Sequence, residues 1–124
     1  MKKYLCIIST VAILVACGGS DSDNKKETAV PDKTSNPDYK AGLALVSKSD
    51  CLTCHKVDEK LTGPAYREVA DKYASYPDTI VAHLAGKIRT GGNGVWGEIM
   101  MLPHPAISQT DAEAMVKYIL LLKK

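Results

Sequence analysis

Cys51-Leu52-Thr53-Cys54-His55 is the stretch that decides how this chain folds. It reads C-x-x-C-H, the spacing at which a c-type haem is attached. Two thiols three positions apart can each add to one vinyl group of a porphyrin as a thioether. The adjacent imidazole then lies beneath the iron as its proximal ligand. A zinc site would need a second ligand pair at suitable spacing, and the sequence has none. A thioredoxin-like dithiol would follow a strand in a βαβ unit, whereas both flanks here carry helical periodicity. Cys51, Cys54 and His55 are therefore expected to hold one haem.

Outward from this motif the pattern is that of short helices. Before it, Tyr39, Gly42, Leu43, Leu45 and Val46 form a helical stripe. After it comes a polar loop, then Gly63-Pro64, with Pro64 expected at a helix start where its fixed φ fits. Tyr66, Val69, Ala70 and Tyr73 make the apolar face of a second helix, and Ile80, Val81, Leu84, Ala85 and Ile88 that of a third. The Gly-rich run Gly91 to Gly97 reads as an irregular loop able to approach a flat group closely. Ile99 to Pro105 reads as extended. Ser108 caps a last helix, with Ala112, Met115, Val116, Ile119, Leu120 and Leu122 inward. No strand is expected. The fold class is all-α, with four to five short helices around one haem.

The N-terminus has a different character. Lys2 and Lys3 precede an almost wholly apolar run to Val15, which ends at Ala16-Cys17. This is the architecture of a secretory signal peptide, and its end resembles a bacterial lipobox. As a helix the run would span only about 20 Å against a hydrocarbon core of about 30 Å, too short for an anchor. Residues 1–16 are thus expected to be removed and Cys17 to be lipidated. Residues 17–37 are rich in Ser, Asp, Asn, Lys, Thr and Pro, and are expected to form a flexible linker. The haem domain is then 38–124. Cys6 leaves with the signal peptide, so no thiol remains for a disulfide.

The formal charge of +2 comes from that leader: without Lys2 and Lys3, 14 basic residues face 14 acidic ones. No run of Lys or Arg exceeds two residues, so the electrostatic footprint of nucleic-acid binding is missing.

One axial position remains opposite His55. Met115 belongs to the buried stripe of the last helix, and His83 falls among polar positions in mid-helix. Met100, Met101 and His104 lie in the extended stretch after the Gly-rich run, where a ligand could arrive from the far side of the ring.

Taken together, Cys51-x-x-Cys54-His55, Gly63-Pro64-Ala65-Tyr66, Gly94-Val95-Trp96-Gly97-x-Ile99-x-Met101 and the helix from Ser108 resemble the class I cytochromes c of the short bacterial monohaem kind. The resemblance covers Asp38 to Lys124. It implies Met101 as the distal iron ligand, with Met100, where relatives often carry proline, as runner-up. It implies that the Pro64 carbonyl accepts the His55 Nδ1–H, that the Trp96 indole bonds a haem propionate, and that Gly42 and Tyr118 meet where the first and last helices cross. Where relatives often carry Asn near the methionine, this chain has His104, a candidate to displace Met101 at high pH.

The function implied is one-electron transfer and not enzymic catalysis. A lipid-anchored carrier would be exported, with its haem domain in the periplasm. It would meet a donor and an acceptor such as a quinol-oxidising complex, a terminal oxidase or a reductase. Two alternatives stand beside it: a haem enzyme or gas sensor with an exchangeable sixth ligand, and a bound subunit of an oxidase complex.

Overall fold

The computed structural model describes residues 32–124. The expected signal peptide and Cys17 lie outside the described residues.

The described part of the segment expected to be a flexible linker to residue 37 is ordered. Lys33–Ser35 form a 3-10 turn capped by the Asp32 side chain, and Lys33 Nζ donates to the Lys123 carbonyl at 2.6 Å. Helix α1, Pro37–Lys48, begins where three signals coincide: Asn36 accepts from the Asp38 N–H, Pro37 occupies the first turn, and Asp38 favours the positive end of the dipole. It buries Gly42 and Val46. A second 3-10 turn, Asp50–Thr53, carries the first haem-motif cysteine.

Helix α2, Tyr66–Tyr73, starts two residues later than the expected Pro64. Ala65 takes the cap position, and because it has no side-chain oxygen, Glu68 closes the turn by accepting the Ala65 N–H at 2.9 Å. Pro64 is left in the approach to the helix, where its carbonyl is available to other donors. Helix α3, Thr79–Thr90, stops at Gly91, whose φ of 69° is a left-handed conformation that glycine tolerates. Helix α4, Gln109–Leu120, is capped by Ser108, which accepts the Asp111 N–H at 3.0 Å.

The expectation of no strand is corrected. β1, Gly92–Gly94, and β2, Gly97–Met101, pair antiparallel, with Gly92 opposite Met101 and Gly94 opposite Gly97. Three glycines at positive φ (Gly92, Gly94 and Gly97) let the chain reverse here, and their missing side chains erase the alternation by which a strand is recognised.

Helix α4 packs against all three other helices. One cluster joins Val46 of α1 and Tyr66 and Ala70 of α2 to Met115, Tyr118, Ile119 and Leu122. A second joins Ala85 of α3 to Ala112 and Val116. The crossing of α1 and α4 depends on Gly42: a Cβ there would overlap Ala114 O and Tyr118 Cβ. Tyr39 meets the Tyr118 ring edge-to-face at 5.0 Å beside it. Among the described residues no helix is long and apolar enough to cross a membrane.

Candidate haem site

The haem motif sits between the end of α1 and the loop that leads to α2. Its first cysteine rides on the 3-10 turn, and Cys54 N and His55 N both donate back to Cys51 O, at 3.2 and 3.0 Å. This tight turn presents both sulfurs from one short segment. Neither is in a disulfide; Cys51 is half-buried and Cys54 exposed. Burial pushes the Cys51 thiol up. Redox-active dithiols depend on a thiol whose pKa is lowered, so this environment opposes that use.

His55 is held on three sides. Its Nδ1 lies 2.8 Å from the Pro64 carbonyl oxygen. A carbonyl can only accept, so Nδ1 carries the proton and Nε2 keeps its lone pair free for a metal. The imidazole stacks on Tyr66, with ring centroids 5.2 Å apart and planes 18° apart. Gly63 also lies against the ring: a Cβ there would overlap Cε1 and stand 2.8 Å from Nδ1. Gly63 N–H in turn donates to Cys54 O at 2.8 Å, closing the loop on the motif. Burial, followed by the charge of the neighbouring cysteine, pushes the Tyr66 hydroxyl far up.

The hairpin supplies the other candidates. Alternation along β2 sends neighbouring side chains to opposite faces. Met101 is half-buried, whereas Met100 is 62% exposed. The backbone after Met101 is pinned to the end of α3. A Cβ on Gly91 would overlap Met101 O and stand 2.9 Å from Pro103 N, and His104 N donates to Ile88 O at 3.1 Å. Trp96 is partly exposed, and Lys72 Nζ stands over its ring at 5.4 Å, a cation–π distance. Val95 joins Lys72, Tyr73, Tyr76, Thr79, Ile80 and His83 around an open cavity of about 580 Å³. His83 is exposed, and Met115 is core.

His104 is placed in a way the sequence did not signal. Its Nε2 lies 3.1 Å from Asp50 Oδ1, across 54 residues of chain, and its Nδ1 is buried without a partner among the described residues. The ring is thus engaged with the residue preceding Cys51 and is not free in the loop.

The donor set fits a covalently held haem: two free thiols on one turn, an imidazole whose Nδ1 holds the proton and leaves Nε2 free, and a half-buried thioether on a separate element. Gly63 is the cradle that a side chain would fill.

Comparison with known proteins agrees. The family model described as cytochrome c matches residues 39–123. Cytochrome c-552 of Nitrosomonas europaea is 45% identical over 83 residues, covering 67% of this chain and 80% of that protein. Cytochrome c-552 of Hydrogenobacter thermophilus is 46% identical over 85 residues, covering 67% and 83%. Cytochrome c-551 of Pseudomonas denitrificans is 43% identical over 82 residues, covering 66% and 98%. The crystal structure of wild-type Nitrosomonas europaea cytochrome c552 superposes with a TM-score of 0.61 at 44% identity, covering 65% of this chain and 99% of that one.

Proposed function

Since the chain belongs to the cytochrome c family, whose members hold a covalently attached haem c and carry electrons, we propose that it is a membrane-tethered one-electron carrier with His/Met-ligated iron. Haem iron, alternating between two oxidation states, supplies the redox chemistry. Cys51 and Cys54 hold the ring as thioethers. His55 offers Nε2 to the iron, with the Pro64 carbonyl fixing its tautomer and Tyr66 and Gly63 fixing its plane. Met101 would supply the second iron ligand as a thioether, and the Trp96 indole N–H would be available to bond a propionate.

The observation that carries this reading is the contrast between half-buried Met101 and exposed Met100. A thioether brought in on an ordered strand leaves no position for oxygen, peroxide or substrate, and it favours the reduced metal. What would remain is outer-sphere transfer of one electron, to and from respiratory partner proteins. The reduced native protein is expected not to bind carbon monoxide. Binding without denaturant would instead support an enzyme or gas sensor with an exchangeable sixth ligand. Lipid on Cys17 would tether the exported domain to the membrane surface in the periplasm. Cys17→Ser is then expected to move the protein from the membrane to the soluble fraction, and an unchanged distribution would overturn the tether.

A further inference from the structure

We infer that Asp50 and His104 form a clasp that holds the methionine-bearing segment to the haem-attachment turn, making both positioning residues for Met101. This rests on the reading of Met101 as the iron ligand.

Both ends of the clasp are anchored. Asp50 opens the 3-10 turn that carries Cys51, and its carbonyl accepts the Thr53 hydroxyl at 2.7 Å. His104 donates its backbone N–H to Ile88 at the end of α3 and accepts from Ile107 N at 3.1 Å. Between these anchors the 3.1 Å contact of Nε2 with Oδ1 ties the two parts of the chain that would supply ligands from opposite faces of the ring. A carboxylate only accepts, so Nε2 carries the proton; the bond needs no charge on the imidazole. The histidine side chain is 23% exposed and its Nδ1 is buried and unpartnered among the described residues. Nε2 is therefore the nitrogen through which the ring is held. Losing Asp50 would leave both ring nitrogens without a protein partner.

Asp50 is itself 72% exposed, so its substitution should spare the fold. In the haem-loaded ferric protein, added imidazole reaches the iron only when Met101 leaves. Asp50→Ala and His104→Ala are each expected to tighten imidazole binding roughly two- to fivefold, the range of a partly exposed pair. The double variant should match either single one, and Asp50→Glu should restore the original affinity. The His104 amide should exchange its hydrogen faster in Asp50→Ala, while the far-UV melting temperature falls by only a few degrees and the transition stays cooperative. An unchanged His104 exchange rate, or effects that add in the double variant, would overturn the clasp. If Met101→Ala leaves imidazole affinity unaltered, the ligand reading fails instead, and the amide exchange still decides whether the clasp exists.

Discussion

Gly63 lies flat against the imidazole of His55, so closely that a single added carbon would overlap Cε1 and stand 2.9 Å from Nε2, the nitrogen proposed to face the iron. The same loop brings the Pro64 carbonyl to Nδ1. Gly63→Ala must therefore tilt the ring or push the loop away, and either movement strains the Nδ1 bond. The expected cost is about 1–3 kcal/mol of stability, the usual range for overpacking. The His55 ring resonances of the ferric protein should shift as well. Unchanged resonances together with unchanged stability would mean that the loop yields freely and does not orient the ligand.

Two glycines in mid-helix predict opposite signs for one substitution. Gly42 is at the α1–α4 crossing, where a methyl group would overlap Ala114 and Tyr118; around Gly86 of α3 a Cβ meets nothing within 4 Å. Alanine improves helix propensity by about 0.5–1 kcal/mol at either site. At Gly42 the backbone overlap outweighs this gain, for a net loss of about 1–2 kcal/mol. Gly86→Ala should stabilise by the propensity gain alone. Denaturant midpoints of the two variants check the contrast, and a stabilised Gly42→Ala would remove the packing account of this glycine.

Arg67 ties the loop after the haem motif to the C-terminus, donating to Asp58 at 2.6 Å and to the Leu122 carbonyl at 2.6 Å. The guanidinium hydrogen bond holds the Asp58 carboxyl below its ordinary value. A folded-state pKa that is lowered contributes stability above the unfolded value, near 3.9, and that contribution disappears as pH falls through the folded value. Asp58→Asn should therefore be slightly less stable than wild type at neutral pH, with the difference vanishing in strong acid. Thermal melts at several pH values between 2 and 7 test this. A difference that grows on acidification would contradict it.

The helical stripes were readable because each buries one face with the helical period, and C-x-x-C-H because its chemistry needs those three residues at that spacing. The meeting of Gly42 with Tyr118 followed from the resemblance and is present in the structure. The hairpin was not readable: Gly92, Gly94 and Gly97 carry no side chains to alternate, and the reversal that pairs Gly92 with Met101 uses the positive φ of these three glycines. Pro64 was misplaced because Glu68 caps from within the helix and starts it at Tyr66. The Asp50–His104 contact joins residues 54 apart, and no local pattern could announce it.

The central claim is that Met101 closes the distal face, and the ferric absorption spectrum tests it most directly. A weak far-red sulfur-to-iron band should be present in the wild type and in Met100→Ala, and lost in Met101→Ala. Survival of that band in Met101→Ala, or its loss in Met100→Ala alone, would contradict the account.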